Sequence, residues 1–575
     1  MKNVVFIVMD SVFEEILNAN DNVCPFINSI RGKSLYFSNV YSQGPYTEAG
    51  TKGLLCSEDT LDNEAYLHRY SNAKNFISSI FKDNGYKTTS LIYPTTLYNK
   101  KIIEKLDNIF FSSVFLPDVF WNQKLLFYKS VKEENGLDES DYVRIFGILE
   151  DVFDFWLYSL DRKEHPDNFK MLDKYNSGFP WEDLYRSVEN EREKYQYDKK
   201  AYVDSLLLSN NNFLQTKTFA ETDILKNNAL KKAIKKRRAF CLKLSFFQLF
   251  REVKNLNLLF SLTKKEKSKS ERKKLRKAWL TSVKRAFDIF TVKKSKDFKL
   301  LLSAGAQLDF AADYLINNQK EPQFLMVHIE EPHYYNTFFS YDCEDIDKIV
   351  GEFDYADEYL RSVKKTGYSG FAYYDLSLRY VDLQIKKLFD KLKANGALEN
   401  TIVVLTSDHG SSYTGRFIRP RSVINFHKEN YHIPFIIYGD NISGKTVDKL
   451  SSNLDIIPTL LKFLNLSSPT DLSGKDILST EARDHILIEF MGAGCPDIHL
   501  KPAWIAAKSN YCQVSYIGSV LKEFKCDNID AVYDLKEDPD QYNNLNGRNT
   551  GIEAERLIGC IKARLEQLRK EYSSE

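Results

Sequence analysis

Short apolar runs recur near both ends of the chain, and each one is bounded by polar residues. The clearest run lies at 402–405 (IVVL) and is followed by Ser407-Asp408-His409-Gly410. Because this run lacks the alternation of a half-exposed strand, it predicts a strand that is buried on both faces, as in a parallel sheet. Further strands are predicted at 4–9, 35–40, 86–93, 324–329 and 433–439.

Predicted helices alternate with these strands and lie at 25–30, 73–84, 368–394 and 452–464. Such alternation is typical of an α/β fold with a mostly parallel central sheet flanked by helices. We predict this core for residues 1–100 and 301–480. The remainder, 481–575, is predicted to be a small α+β subdomain. It has strand patterns at 486–490, 504–507 and 512–516, a loop at 533–545 and a last helix from Ile552.

The alternation stops between residues 101 and 300, which we predict to be a mostly helical, basic insertion. Aromatic-rich segments at 110–121 and 142–156 predict helices, and 161–202 is polar and rich in charge. Residues 231–300 hold 24 Lys and Arg against 5 Asp and Glu, whereas the other residues hold 56 against 74. A basic module is therefore expected inside an acidic protein.

The basic residues of 231–277 flank an amphipathic segment at 246–260. This pattern indicates either a surface for anionic lipid, anionic glycan or nucleic acid, or a solvated helical face that docks on the acidic remainder. No nucleic-acid-binding motif accompanies it, so no nucleic-acid partner is expected.

Bulk composition sets further limits. The chain has 575 residues, of which 43% are hydrophobic, so it is long and apolar enough to form two or more domains or one large elaborated domain. The first apolar run is too short for a signal peptide, and no run reaches the roughly 18 residues of a membrane span. Eight scattered cysteines without a CxxC motif indicate reduced thiols. We expect a cytoplasmic protein, with 231–277 as a candidate contact to the inner face of the membrane.

Polar residues near the carboxyl ends of predicted strands are candidates for chemistry, because ligands of parallel sheets bind at that edge. Asp408 and His409 place a carboxylate beside an imidazole, a pair that suits Zn²⁺ or Mn²⁺. Asp10 follows the first strand. Thr47 begins a predicted helix, where free N–H groups favour anions. Taken singly, each residue also has a structural explanation, namely a turn or a helix cap.

Seven segments resemble, in order, the sulfatase-like branch of the alkaline phosphatase superfamily. They are VVFIVMDS, Thr47 with leucines seven and eight positions later, FLMVHIEEPH, NTIVVLTSDHG with its preceding helix, HIPFIIYGD, LDIIPTLLKFL and YDLKEDPDQYNNL. The resemblance covers about 1–100 and 301–545 and implies an alkaline phosphatase-like fold. It leaves the insertion outside.

The resemblance implies a divalent metal ion, Zn²⁺ or Mn²⁺ with Mg²⁺ or Ca²⁺ as alternatives, on four ligands: Asp10, Thr47, Asp408 and His409. It implies Thr47 as the nucleophile and His333 as a contact of the leaving or transferred group. His427 fits the position of a further catalytic histidine, and the nearby His432 is a rival. His328 is expected to pack within its strand.

Two departures separate the chain from most sulfatases. Those enzymes oxidise a Cys or Ser that precedes a Pro-Ser-Arg motif, and they carry a second acid after the first. Here the segment reads Thr47-Glu48-Ala49-Gly50-Thr51, and Ser11 follows Asp10. A threonine nucleophile instead resembles the phosphoethanolamine and phosphoglycerol transferases, including lipoteichoic acid synthase, which form a phospho-threonine.

The expected function is therefore a metal-dependent transfer of a substituted phosphoryl group onto a glycan. The donor would be a lipid or a nucleotide-activated compound, and the acceptor a hydroxyl of a glycan or lipid-linked glycan such as a capsular polysaccharide under assembly. A metal would activate the threonine hydroxyl, and a histidine would serve as the general base. The alternative is a hydrolase with the same site, either a phosphodiesterase or an atypical sulfatase. A third hypothesis is a non-catalytic binding module.

Overall fold

The structure of the protein is a computed structural model. It describes residues 1–19, 23–64, 73–92, 106–111, 119–175, 181–208, 303–333, 372–411, 426–440, 442–479, 482–491, 502–541, 543–548 and 551–573. The basic segment 231–277 lies outside the described residues, so its proposed contact with an anionic surface stays a prediction. Among the described helices, none combines the length and the apolar character that crossing a membrane requires.

Nine strands of the described residues form the sheet at the centre of the molecule. Its strands are β1 (Asn3–Met9), β2 (Leu35–Tyr41), β3 (Lys87–Ile92), β4 (Asn108–Phe111), β5 (Gln323–Ile329), β6 (Thr401–Thr406), β7 (His432–Tyr438), β8 (Lys445–Val447) and β9 (Ser451–Ser452). They are ordered β4-β3-β5-β1-β6-β7-β2-β8, and β9 also pairs with β2. Strand β1 is parallel to both neighbours, whereas β7 is antiparallel to β6 and β2. The predicted mostly parallel sheet is confirmed.

Helices cover both faces of this sheet. The helices of the described residues are α1 (Glu14–Ala19), α2 (Pro25–Arg31), α3 (Thr47–Cys56), α4 (Ile77–Asp83), α5 (Val119–Asn135), α6 (Glu139–Leu160), α7 (Pro166–Tyr175), α8 (Trp181–Tyr197), α9 (Lys199–Leu207), α10 (Ala304–Asn317), α11 (Ala372–Ala394), α12 (Ile456–Phe463) and α13 (Gly551–Ser573), of which α13 packs on a separate C-terminal sheet. In β1, Val5 and Ile7 join one apolar layer, with α2, α10 and α11. Val4 and Phe6 join the other layer, with α3, α4 and α12. Because successive side chains of a strand point to opposite faces of the sheet, both faces of β1 contact an apolar layer, and the strand is apolar throughout.

The C-terminal residues form the predicted α+β subdomain. Strands β10 (Ile486–Met491), β11 (Ala503–Lys508), β12 (Cys512–Gly518) and β13 (Ile529–Asp534) form an antiparallel sheet in that order. Helix α13 packs on this sheet through one apolar layer. The loop predicted at 533–545 is wrong at its start, because its first two residues complete β13 and pair with β12.

The helix predicted over 110–121 is also wrong at its start. Residues 108–111 form β4, which pairs in parallel with β3 and adds an edge strand to the central sheet. Phe110 packs against Phe310 of α10, with ring centres 4.6 Å apart, so tertiary packing fixes this aromatic run as a strand. The sheet therefore extends beyond residue 100. In the described part of the segment predicted as an insertion, α5 to α9 are helical, as expected.

A buried ion cluster ties α13 to the core. The Arg564 guanidinium donates two hydrogen bonds to Glu489 on β10, at 2.8 and 2.6 Å, and lies 2.8 Å from Asp62. Glu489 is fully buried and also accepts from the Leu61 N–H. Replacing Arg564 would leave the Glu489 carboxylate buried without its cation.

We expect Arg564→Met to lower the free energy of unfolding by about 3–5 kcal/mol, because removing one partner of a buried ion pair leaves the other charge buried without compensation. Arg556→Met is the control on the same helix. Arg556 pairs with Asp484 and Glu553 but is 35% exposed, so we expect a loss below about 1 kcal/mol. Denaturant unfolding of both variants measures the difference, and equal losses would contradict the role of the cluster.

Glu14 on α1 gives a second stability prediction. Its side chain is buried and accepts a hydrogen bond from the Tyr36 hydroxyl, and burial raises its pKa from 4.5 to about 7. The folded state therefore holds one more proton than the unfolded state between these pH values. Stability from this group is present below pH 4.5 and is lost as the pH rises through 7.

The wild type should accordingly lose about 3 kcal/mol relative to Glu14→Gln between pH 4.5 and pH 7.5, since one pKa unit equals about 1.4 kcal/mol. The difference between the two unfolding free energies across this range isolates Glu14 from the other acids. A difference that does not change with pH would show that Glu14 is ionised in the folded protein.

Candidate functional site

Four of the predicted site residues meet at the carboxyl ends of three adjacent strands. Asp10 follows β1, Asp408 and His409 follow β6, and His333 lies in the turn after β5. Because β1 lies between β5 and β6, its carboxyl end brings Asp10 between the other two segments. The Asp10 N–H donates to the Ile329 carbonyl at 2.8 Å, which continues the pairing up to the site.

Asp10 is the centre of the cluster. Its Oδ1 lies 3.0 Å from His333 Nδ1 and 3.5 Å from His409 Nε2, and its Oδ2 lies 3.6 Å from His328 Nε2. Burial alone would raise the pKa of the Asp10 carboxyl, but these imidazoles, His333 above all, hold it well below its usual range. Asp10 is therefore a carboxylate that faces three ring nitrogens.

Asp408 supplies a second buried acid, whose Oδ2 lies 3.6 Å from His409 Nε2. Its Oδ1 accepts from the backbone N–H of Ser11 at 3.2 Å and of His409 at 2.8 Å. Its Oδ2 is buried and has no hydrogen-bond donor among the residues that the structure describes. Burial and the nearby Asp10 raise the pKa of Asp408. A cation would offset both the repulsion and the missing hydrogen bond.

The hydrogen bonds of His409 determine which of its nitrogens can bind a ligand. Its Nδ1 lies 2.5 Å from the Gly410 carbonyl oxygen, which can only accept, so Nδ1 carries the proton. In the neutral ring, Nε2 then presents a lone pair toward Asp10 and Thr47. A backbone carbonyl that fixes the tautomer in this way is common behind metal-ligating histidines.

Two sets of three ligand atoms share Asp10, and in each set all atoms lie within 4.8 Å of one another. One set adds His333 and His409, and the other adds His328 and Asp408. Carboxylates mixed with imidazoles are typical of Zn²⁺ and Mn²⁺ sites. The residues therefore fit a divalent metal ion, and the buried Asp408 Oδ2 is the observation that supports this.

Thr47 lies beside this cluster as the first residue of α3. Its Oγ1 is 3.2 Å from His409 Nε2 and 3.5 Å from Asp10 Oδ2. Helix α3 reaches this position because it packs directly on the Asp408 backbone. A Cβ at Gly50 would lie 2.2 Å from the Asp408 carbonyl oxygen, so only glycine permits the approach.

Side chains around α3 fix its position further. The Ser42 hydroxyl donates to the Asp408 carbonyl at 2.6 Å, and the Asn453 amide donates to the Gly50 carbonyl at 2.8 Å. The Tyr46 hydroxyl, next to Thr47 in sequence, donates to the Met491 carbonyl at the end of β10. The C-terminal subdomain therefore also holds the start of the helix.

Ser11 and His328 are central to the site, although the sequence pattern gave them no role there. Ser11 has a left-handed backbone (φ 65°), and its hydroxyl lies 2.7 Å from Asp10 Oδ1 and 2.9 Å from His333 Nδ1. Its place directly after Asp10 was a signal for this role. His328 packs within β5 as predicted, and it also faces Asp10 from the carboxyl end of that strand.

Glu331 anchors the turn that carries His333. Its buried carboxylate accepts from the Ala304 N–H at the start of α10, and burial raises its pKa to about 7. No sequence signal distinguished this acid from a surface residue. This hydrogen bond joins the His333 turn to the first residue of α10.

The two further histidines occupy different surroundings. His427 precedes a short helical turn, and its ring centre lies 6.2 Å from that of Tyr533 on β13. The rival His432 has both nitrogens engaged elsewhere, at 3.1 Å from Glu15 Oε1 and 3.0 Å from the Ser38 carbonyl. His432 is therefore a structural residue. The catalytic role of His427 stays a prediction.

Comparison with known proteins matches the family model described as Sulfatase to residues 2–211 and 285–466. This match extends into the segment 101–300, which was predicted to lie outside the family resemblance. A sulfatase named extracellular sulfatase SULF-1 homolog from Drosophila melanogaster is 32% identical over 103 residues, which are 18% of this chain and 9% of that protein. The N-acetylglucosamine-6-O-sulfatase of Bacteroides thetaiotaomicron is 29% identical over 209 residues, covering 33% of this chain and 34% of that protein.

The chain thus spans about a third or less of the length of these two relatives. Among solved structures, a protein of the alkaline phosphatase superfamily from Vibrio parahaemolyticus superposes with a TM-score of 0.50 at 12% identity. The superposition covers 100% of this chain and 87% of the other. It shows that the fold is shared.

The packing of α3 predicts that Gly50→Ala lowers the free energy of unfolding by about 1–3 kcal/mol, because the added methyl group overpacks the Asp408 backbone. It should also weaken Zn²⁺ binding, measured by calorimetric titration of the metal-free protein, since Asp408 must shift with the helix.

Gly147→Ala is the matched control. A Cβ at Gly147 in α6 meets no atom within 4 Å, so alanine should be neutral or should stabilise the protein by up to about 1 kcal/mol. If Gly50→Ala behaved like this control in both measurements, the close approach of α3 to Asp408 would be wrong.

Proposed function

The chain belongs to the sulfatase family, and on that basis we propose that it is a metal-dependent hydrolase of phosphate esters with Thr47 as its nucleophile. The observation that carries the proposal is the Thr47 hydroxyl within 3.2 Å of His409 and 3.5 Å of Asp10, in a site where the buried Asp408 Oδ2 has no hydrogen-bond donor among the described residues. Asp10, Asp408, His409 and the flanking His328 would hold the ion.

A threonine at position 47 favours phosphate esters over sulfate esters as substrates. Oxidation of its secondary alcohol would give a ketone, so Thr47 cannot become the aldehyde that sulfatases use. An intact threonine hydroxyl must attack directly, and it is a weak nucleophile without activation. A bound divalent ion would lower the pKa of that hydroxyl and neutralise charge on the phosphoryl oxygens.

The side chains around Thr47 suit the first step. The Asp10 carboxylate, 3.5 Å from Thr47 Oγ1, can orient the Thr47 O–H, so that a lone pair of Oγ1 is left for attack on phosphorus. The hydroxyl proton passes to solvent, and the new O–P bond forms as the bond to the ester oxygen breaks. The N–H groups of the first turn of α3 would favour the phosphoryl oxygens.

His333 is the candidate for the proton on the leaving oxygen. Its side chain is 26% exposed, whereas those of His328 and His409 are each 4% exposed. It is thus the histidine of this cluster with access to substrate. In the second step the same ring would accept a proton from the water that attacks the phospho-threonine.

We also propose that the ester lies on a glycan. The support is the name of the Bacteroides thetaiotaomicron relative, which describes an enzyme acting on an amino sugar. Transfer to a glycan hydroxyl is the second candidate, and it is favoured by the threonine nucleophile that the phosphoglycerol and phosphoethanolamine transferases also use. It shares the first step with hydrolysis, so only the acceptor separates the two.

With bis(p-nitrophenyl) phosphate and Zn²⁺ or Mn²⁺, Thr47→Ala should lower kcat/KM by at least about a thousandfold, as loss of a nucleophile does elsewhere. Thr47→Ser keeps the hydroxyl and should retain activity within about tenfold. Thr446→Ala, at an exposed position of β8, is the control and should match the wild type.

Intact-protein mass spectrometry after acid quenching should show a phosphoryl adduct on the wild type and none on Thr47→Ala. Loss of the adduct to water alone supports hydrolysis, whereas loss that requires an added sugar supports transfer. Faster cleavage of p-nitrophenyl sulfate than of bis(p-nitrophenyl) phosphate, or full activity of Thr47→Ala, would contradict the proposal.

A further inference from the structure

A cavity of about 570 Å³ opens at the end of the central sheet opposite to the candidate site. It lies against the amino ends of three strands, because its lining includes Lys2 ahead of β1, Leu35 at the start of β2 and Ile402 near the start of β6. Strand β1 has seven residues, so its rise of roughly 3.3 Å per residue separates the cavity from Asp10 by about 20 Å. The cavity is therefore distinct from the Thr47 site.

The walls of this cavity are mainly apolar. Leu35, Tyr86 and Ile402 are buried in the floor. Phe463 and Leu478 also line it and stay only partly buried, although both pack against the second apolar layer of the core. A concave apolar surface of this volume is typical of sites for small molecules.

Two lysines supply the charge at the cavity. Lys445 is exposed on the edge strand β8, and Lys2 is partly exposed. Lys2 Nζ donates one hydrogen bond, to the Glu399 carbonyl at 3.0 Å, and an ammonium group has three donors. None of the described lining residues is acidic. A molecule with an apolar body and an anionic end would therefore complement this surface.

We propose that this cavity binds a free anionic amphiphile of the fatty carboxylate class. The hydrocarbon chain lies against Ile402, Phe463 and Leu478, and the carboxylate lies between the ammonium groups of Lys2 and Lys445. Burial of the chain supplies the affinity, and the two lysines select an anionic over a neutral head group. This inference is independent of the reaction at Thr47.

Dodecanoate below its micelle-forming concentration is the probe, and isothermal titration with the full chain measures its binding. We expect one molecule per chain. Dodecanol should bind at least about tenfold more weakly than dodecanoate. Lys445→Glu should weaken dodecanoate binding at least about tenfold, whereas Lys393→Glu, an exposed control on α11, should leave it unchanged.

Leu478→Trp tests the apolar wall, because the larger ring fills the cavity at a partly exposed position. It should abolish dodecanoate binding while the circular dichroism spectrum and unfolding midpoint match those of the wild type. If Leu478→Trp and Lys445→Glu both bound dodecanoate like the wild type, or if dodecanol bound as well as dodecanoate, the proposal would be overturned. Binding to anionic vesicles without binding to free dodecanoate would also overturn it and would indicate a membrane contact.

Discussion

The buried carboxyl groups of Asp10 and Asp408 lie close together at the carboxyl edge of the sheet, and their mutual repulsion is the constraint that the surrounding residues must offset. The imidazoles of His328, His333 and His409 surround Asp10, while backbone amides hold one oxygen of Asp408. Such a pair is costly in an apolar interior unless cationic charge is supplied. The fold therefore supplies both a reason for a metal ion and the ligands to hold it.

Glycine packing positions Thr47 together with the side chains that hold α3. Gly50 lets α3 touch the Asp408 backbone, and Gly53, one turn further along the same helix, leaves room for the Asn453 side chain. A shift of this helix would therefore move the Thr47 hydroxyl relative to Asp10, Asp408 and His409. This close packing gives a physical reason for the small residues of this segment.

Much of this arrangement follows from sequence because it depends on local patterns. The apolar runs ending at Asp10 and before Asp408 predicted both the strands and the edge where their acids meet. The pairing of β4 and the antiparallel direction of β7 depend on contacts between distant segments, which no local pattern records. The roles of Ser11 and Glu331 were not predicted for a similar reason. Their hydrogen-bond partners, His333 and the Ala304 N–H, lie on other segments of the chain.

The hydrogen bond from Tyr46 to the Met491 carbonyl has a consequence for how this architecture can diverge. Tyr46, the residue before Thr47, is held by a strand of the C-terminal subdomain, and the Gln43 carbonyl likewise accepts from the Glu489 N–H. Recombination between relatives at a breakpoint near residue 480 would separate partners that have been selected together. Substitutions in the segment 43–47 and in β10 are therefore expected to covary across this junction.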